Sequence, residues 1–408
     1  MNAREVALNS LVRWRKTRSL ADELLEELFD KTPCAAPDRA LATELFYGCL
    51  RQKLALEFLM SQLVAKTPGV LVETLLNLGL YQIFFLKTPP HAAVHETVAV
   101  AKHHVSEPEA KFLHAILRRT VRNQAAYEAL LRSQRTKAPW VFWSHPRWLW
   151  ERWVSRWGTE LTETLCDWNN QAPPIYVRGR GPWPGVLEAT GFHPLCYRVV
   201  DAATFFSNPG PYYVQDPSTL LAVDLLDPQP GESVLDLCAA PGGKTTYMAE
   251  KMQNRGRIIA VDHSASRLRR VGENCRRLGA TIVATLACDG TGADRCLRGE
   301  RFDRVLVDAP CSNTGVMRRR PDLRWRLQES EVEQLAALQE RLLDAGARLV
   351  RRGGVLVYST CSLEPEENER VAERFRASHP EFALDATRSM FPPRDGQDGT
   401  FAARFRRG

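Results

Sequence analysis

Two cysteines each close a strand-like run in this chain, Cys311 in FDRVLVDAPCS and Cys361 in GGVLVYSTCS. A thiolate is the most nucleophilic side chain available near neutral pH. A third run, SVLDLCAAPGGKTTYMAE, sets a proline- and glycine-rich loop between an apolar strand and a helix. In an open α/β sheet, ligands bind beyond the carboxyl ends of the strands. Three such ends would bring a ligand loop and two thiols to one crevice. That pairing suggests covalent chemistry on an electrophilic ring. The competing reading of any single free cysteine is an inert buried thiol, and it is accepted for Cys238, Cys275, Cys288 and Cys296.

The loop itself admits three readings. A dinucleotide fingerprint needs GxGxxG, which is absent. A phosphate-binding GxxxxGK[ST] loop finds its end in Gly243, Lys244 and Thr245, but Cys238 stands at its first glycine. What remains is a tight turn in which Gly242 and Gly243 allow close backbone approach to a ligand at a helix N-terminus. Three acids then fall at or near successive strand ends. Asp262 ends the second strand, where an acid commonly holds ribose hydroxyls. Asp289 ends the third and could accept from an adenine amino group, and Asp308 ends the fourth, beside Cys311. One such acid is commonly a helix cap. Three in register with a glycine turn fit an adenosine-containing cofactor.

The elements that must position these residues are legible in the spacing. From about residue 215, strands alternate with helices: 233–237, 257–262, 281–289, 303–309 and 354–360, with the longest helix over 328–351. That alternation predicts a doubly wound, mainly parallel sheet. Residues 1–137 read as a bundle of five to seven helices, with longer runs over 37–64, 69–87, 91–105 and 108–125. Breakers fall at Pro33, Pro37, Pro68, Pro89-Pro90 and Pro108. Between them, residues 138–228 carry a tryptophan-rich helix and short strand-like pieces, IYVR (175–178) and YRVV (197–200), enough for a small α+β subdomain. Seven of the ten tryptophans lie between Trp140 and Trp168. They could stack on bases, but packing is the favoured reading because tryptophan is a large core filler. The catalytic domain would then span 229–408.

Composition bounds the class. The 408 residues are 44% hydrophobic and 25% charged, as in an ordinary globular protein. The longest apolar stretch (70–86) is interrupted by Glu73, Asn77 and Gln82, which predicts a buried helix and no membrane span. The N-terminal MNAREVALNSLVRWRK lacks an apolar core, so no secretory signal is expected. Ten cysteines without a CxxC pair or a zinc-type Cys/His cluster predict free thiols in a reducing cytoplasm and no metal. The net charge is +7. Between Lys111 and Lys137 seven basic residues, Arg118, Arg119 and Arg122 among them, face only Glu128. A solvated helix face and a phosphate-binding face are equally good readings of that run. A second run, Arg318, Arg319 and Arg320 with Arg324 and Arg326, follows the Cys311 motif and is expected to hold a polyanion.

These residues point to a family. DLCAAPGGKT (236–245), VDAPCSNTGVMRRRPDLRW (307–325) and YSTCSLEPEENE (358–369) resemble the RNA cytosine-5 methyltransferases of the Sun/Fmu (RsmB) type. The likeness extends through YVQDPSTLL (213–221) and the helical segments DRALATELFYGCLRQ (38–52), PPHAAVHETVAVAK (89–102) and FLHAILRR (112–119), which look like that family's NusB-like RNA-binding domain. Three positions depart from its pattern: Gly179 follows Val177-Arg178 where RVN is usual, His95 replaces a common asparagine, and DGTFAARF (398–405) replaces DGFF.

The resemblance implies a NusB-like bundle, a small α+β subdomain and a Rossmann-like catalytic domain. It implies S-adenosyl-L-methionine as cofactor, held by Cys238, Ala239, Ala240, Pro241, Gly242, Gly243 and Lys244, with Asp262, Arg267, Asp289 and Asp308. Spacing leaves the two thiols unordered; the resemblance makes Cys361 the nucleophile on cytosine C6, Cys311 the aid to product release, and Asp308 the contact to the base's N3. The expected partner is RNA, 16S ribosomal RNA first and transfer RNA as the alternative, bound by a monomer with its target base turned out of the stack. Competing readings are a non-catalytic RNA-binding assembly factor and an ATP-dependent RNA enzyme. The intact cysteines, acids and glycine turn speak against the first.

Overall fold

The computed structural model describes residues 2–17, 19–32, 34–86 and 88–408; the expected breaker Pro33 lies outside them. By packing, the chain forms two compact units. One takes the chain up to Ala172 together with Met317–Arg326, and the other comprises Pro173–Val316 and Leu327–Gly408. Packing therefore divides the chain at 172/173, where the sequence suggested 137/138 and 228/229. The tryptophan-rich helix goes with the bundle and the small sheet with the larger sheet.

In the first unit, eight described helices lie between Ala3 and Lys137, one more than the upper expectation. The 37–64 run is broken at Gln52, whose backbone (φ −101°, ψ 19°) ends Ala36–Arg51 before Lys53–Ser61 begins. Leu8, Leu45, Phe46, Leu56, Leu76, Leu113 and Leu117 meet in one core. Val70–Phe84 is buried along most of its length, as its apolar composition requires. No described helix is long and apolar enough to cross a membrane. The helix Arg147–Asn170 is interrupted by Gly158 at φ 79°, a conformation glycine adopts without strain. Its Trp150 and Trp153 are buried, so for these two rings packing prevails over base stacking.

Met317–Arg326 is built into this unit. Arg324 is fully buried and donates to Ser144 O at 3.1 Å, Asn169 O at 2.9 Å and Asn170 Oδ1 at 2.8 Å. Burial pulls its pKa down to about 9. Carbonyls near helix C-termini are natural acceptors for a guanidinium. Within the run expected to hold a polyanion, Arg324 is therefore structural.

The second unit holds two sheets. The smaller is antiparallel, in the order β2-β3-β1-β4, from β1 (Tyr176–Arg178), β2 (Leu187–Ala189), β3 (Cys196–Val199) and β4 (Tyr213–Val214). The larger comprises β5 (Ser233–Asp236), β6 (Arg257–Asp262), β7 (Val283–Ala287), β8 (Phe302–Asp308), β9 (Val350–Thr360), β10 (Phe382–Met390) and β11 (Thr400–Arg407). Its order is β10-β11-β9-β8-β5-β6-β7. β5 through β9 pair in parallel, and β11 inserts antiparallel between β9 and β10. The strand order reverses between β5 and β8. That switch point is where a doubly wound sheet opens a crevice for a ligand.

Candidate active site

The crevice begins at Asp236, the last residue of β5. Its carboxylate is buried, accepts from Thr245 Oγ1 at 2.6 Å and leaves Oδ1 without a partner. Burial pushes its pKa up to about 7. The loop Cys238–Lys244 follows, with a cis Ala240–Pro241 bond and Gly242 at φ 102°. A Cβ on Gly243 would stand 2.9 Å from a Tyr213 ring carbon and 3.1 Å from Gln215 Oε1, so glycine is required there by space. Arg178, from β1, clamps the loop from behind: its guanidinium donates to Gly243 O at 2.8 Å and Thr246 Oγ1 at 2.9 Å. It is buried and paired with Glu250 at 3.3 Å. The sequence did not single Arg178 out as a site residue. Its neighbour Gly179 is also fixed by space, because a Cβ there would lie 2.2 Å from the Tyr212 ring.

The three acids sit at the ends of β6 and β8 and just past β7, but in different settings. Asp262 is buried; its oxygens accept from Ser264 N at 3.0 Å and Ala240 N at 3.2 Å. Arg267 lies 3.5 Å from Asp262 and donates to Ala240 O at 2.9 Å, so the pair buttresses the turn. Asp289 is exposed, and the backbone and hydroxyl of Thr291 hold its carboxyl below the usual carboxylate range. Asp308 pairs with Lys244 Nζ at 2.7 Å. Burial opposes charge on Lys244, yet Asp308 holds its pKa above the usual value.

The two thiols meet. Cys311 Sγ and Cys361 Sγ are 3.3 Å apart, at the ends of the adjacent strands β8 and β9. Cys311 is buried whereas Cys361 is partly open. Asn313, at φ 59°, donates to Cys311 O at 2.6 Å and offers its Oδ1 to Cys361 Sγ at 3.2 Å. The hydrogen bond to Cys361, and then burial, push the Cys311 thiol well above its ordinary pKa. Burial likewise pushes Cys238 up, which suits its inert reading. The segment that replaces DGFF packs against the loop after Cys311: Gly399 N donates to Gly315 O at 2.8 Å, and Gly315 N to Cys361 O at 3.0 Å.

Two expectations change. Cys288 and Cys296, expected as free thiols, form a disulfide across the turn that carries Asp289, while the other eight cysteines are free. The turn brings together two residues whose spacing matches no sequence motif. In the expected RNA-binding run, Arg318 is buried with its guanidinium over the Trp168 ring at 4.1 Å and bonded to Ala172 O at 3.2 Å. Arg320 pairs with Asp22 at 3.0 Å, and Arg319 is half-buried. Arg318 is thus held inward, while Arg320 stays at the surface with its side chain 41% exposed. Arg118, Arg119 and Arg122 are exposed, on the helix Glu107–Arg122. Among the described residues no cluster that could hold a metal ion is present.

Comparison with known proteins finds the family of 16S rRNA methyltransferases RsmB/F over residues 223–406, the NusB family over 1–122, and the ferredoxin-like domain of RsmF/B-like methyltransferases over 145–179. The probable ribosomal RNA small subunit methyltransferase B of Bacillus subtilis is 34% identical, across 94% of this chain and 90% of its own length. Ribosomal RNA small subunit methyltransferase B of Yersinia pseudotuberculosis is 36% identical, across 94% of this chain and 92% of its own. Among solved structures, that of PH0851 matches with a TM-score of 0.81 and 26% identity, over 98% of this chain and 97% of that one. A methyltransferase homolog from Pyrococcus horikoshii matches with a TM-score of 0.57 and 26% identity, over 66% of this chain and 97% of its own.

Proposed function

Because the chain belongs to the RsmB/F family of 16S rRNA methyltransferases, we propose that it methylates carbon 5 of a cytosine in small-subunit ribosomal RNA through a transient bond from Cys361 to carbon 6. The observation that carries this reading is the thiol pair, 3.3 Å apart beside a glycine turn and a row of strand-end acids.

The methyl donor is S-adenosyl-L-methionine, which when bound supplies an electrophilic methyl group. The turn from Cys238 to Lys244 fits such a group: Gly243 leaves no room for a side chain, and one oxygen of Asp236 is buried without a partner. Asp262 and Arg267 hold the turn in shape and offer the ribose an acid, Asp289 stands free for the adenine edge, and Asp308 faces the crevice with Lys244. Cys361, the more open thiol, forms the new bond to carbon 6, and the 5,6 double-bond pair moves to carbon 5, which becomes nucleophilic. Asp308 contacts N3 and eases that shift. After methylation the carbon-5 proton passes to solvent, its C–H pair re-forms the 5,6 double bond, and the carbon–sulfur pair returns to Cys361. Cys311, which keeps its proton beside that sulfur, is placed to donate to the departing thiolate.

RNA binding is supported by a groove of about 990 Å³ in the helical unit, between Pro90–His104 and Glu107–Arg122. Its rim carries Lys102, Lys111, Arg118 and Arg122 with the rings of His91, His95 and His114. Exposed cations above an apolar floor, with Glu107 the one acid in the lining and paired with Lys111, suit a single strand with unstacked bases. Bisulfite sequencing of RNA from a deletion strain tests the whole reading. One protected cytosine in 16S ribosomal RNA should disappear, and return with the intact gene. A loss confined to transfer RNA, or no loss, would contradict it.

A further inference from the structure

The loops that carry the two thiols are joined beneath them by a single acid. Glu367 is fully buried. Its Oε1 accepts from Ser312 N and from Gln339 Nε2, each at 2.9 Å. Its Oε2 accepts from Ser362 Oγ at 2.5 Å and from Ser312 Oγ. Ser312 follows Cys311, and Ser362 follows Cys361. The two hydroxyls stand 3.0 Å apart, so one carboxylate spans both loops. Behind it, the buried Tyr358 hydroxyl lies 2.9 Å from Gln339 Oε1 and also reaches the backbone carbonyl of Glu367. Asn368, next in the chain, donates to Ser362 O at 2.9 Å.

Burying a carboxylate is costly unless its hydrogen bonds are restored. Here every donor but Gln339 belongs to a residue adjoining a reactive cysteine. We propose that Glu367 is a positioning residue that sets the spacing of the two thiols, stapling the loop after Cys311 to the loop after Cys361. The inference rests on the two-thiol reading above, in which a proton-bearing Cys311 must stay in contact with the sulfur that attacks and leaves. Other contacts also join the same loops, among them Gly315 N to Cys361 O at 3.0 Å, Leu363 N to Thr314 Oγ1 at 2.8 Å and Cys361 Sγ to Asn313 Oδ1 at 3.2 Å. Loss of the staple should therefore loosen the thiol pair without unfolding the domain.

Two variants of the full chain separate spacing from charge. Glu367→Gln keeps the reach: its carbonyl accepts from Ser312 N and Gln339, and its amide donates to two hydroxyls, which accept as readily as they donate. Glu367→Asp withdraws the carboxylate by about 1.5 Å, one carbon–carbon bond, and cannot span both serines. One readout is the rate at which diamide joins Cys311 to Cys361. The two thiols lose two electrons and two protons, which the azo bond takes up to become a hydrazine, and the linked peptides are followed by mass. The other is steady-state methylation, with KM separated from kcat. Glu367→Asp should slow cross-linking about tenfold and lower kcat on the order of 100-fold, the scale of an ångström's misplacement. KM for RNA and for the cofactor should hold, and Glu367→Gln should stay close to wild type in both assays. Wild-type cross-linking and turnover in Glu367→Asp would overturn the proposal, and so would a Glu367→Gln protein as impaired as Glu367→Asp. The cross-linking rates decide the matter even if the wild-type protein makes no 5-methylcytosine, so failure of the positioning claim and failure of the reaction are told apart.

Discussion

Replacing Asp262 should separate two roles that its position combines. The carboxylate is buried at the end of β6, where one oxygen accepts from Ser264 N and the other from Ala240 N. The second bond holds the cofactor turn in place. Hydrogen bonds to a charged group contribute about 1.5–3 kcal/mol each, so Asp262→Ala leaves two backbone donors without acceptors and loosens the turn. If the same acid holds the ribose, S-adenosyl-L-methionine affinity should fall by about 1–3 kcal/mol, roughly 5- to 150-fold in Kd. Asp262→Asn should be nearly as damaging, because its amide would confront one N–H donor with another. Asp289→Ala provides the contrast. Asp289 is exposed and bonded only to Thr291 within its own turn, so its loss should weaken cofactor binding while leaving the melting temperature almost unchanged. Calorimetric titration of each variant, alongside thermal unfolding, reads both quantities. Unchanged titration curves for Asp262→Ala would remove this acid from the site and refute the reasoning.

Three further outcomes follow from the same contacts. Asp236 has a folded pKa raised by burial to about 7, above an unfolded value of about 4. Its contribution to stability is full below pH 4 and is lost as pH rises through 7. Asp236→Asn should flatten that decline in urea unfolding between pH 5 and pH 8, and an unaltered profile would exclude Asp236 as its source. Arg178→Met should destabilise the second unit by about 1.5–3 kcal/mol, because Gly243 O and Thr246 Oγ1 lose their charged donor while Glu250 keeps Arg180; a shift below about 1 kcal/mol would mean the clamp is idle. Arg118→Glu with Arg122→Glu should weaken RNA binding and reduce its salt slope by about 1.4, the value for two phosphate contacts on a single strand. An identical slope would place the RNA elsewhere.

The candidate crevice was legible in the sequence because its signals are local. Strand-end acids, a glycine turn and cysteines after apolar runs each mark the end of a parallel strand, and the sheet's topology gathers such ends at one edge. The signals that failed depend on tertiary closure. Glu367 sits in EPEENE, a charged run whose spacing gives no sign that the two thiol loops bury it. Arg318 and Arg324 look like a phosphate patch but pack into the helical unit, where Trp168 and helix-end carbonyls receive them. Arg178 belongs to a three-residue strand, too short to show a period. The antiparallel strands β10 and β11 were missed as well, since FALDATRSM exposes most of its residues and its pairing partner lies beyond a separate turn. Gly179 and the DGTF segment depart from the family pattern, yet Gly179 is explained by the Tyr212 ring against it.

The central claim is the division of labour between the thiols, and covalent trapping tests it most directly. Cys361→Ala and Cys311→Ala proteins are incubated with S-adenosyl-L-methionine and substrate RNA, then resolved on a denaturing gel. If Cys361 attacks, Cys361→Ala should show neither turnover nor a shifted band. If Cys311 serves only departure, Cys311→Ala should still attack and methylate but fail to release, so a denaturant-stable protein–RNA complex accumulates. The reverse pattern, a trapped Cys361→Ala complex with an inert Cys311→Ala protein, would make Cys311 the nucleophile and contradict the account.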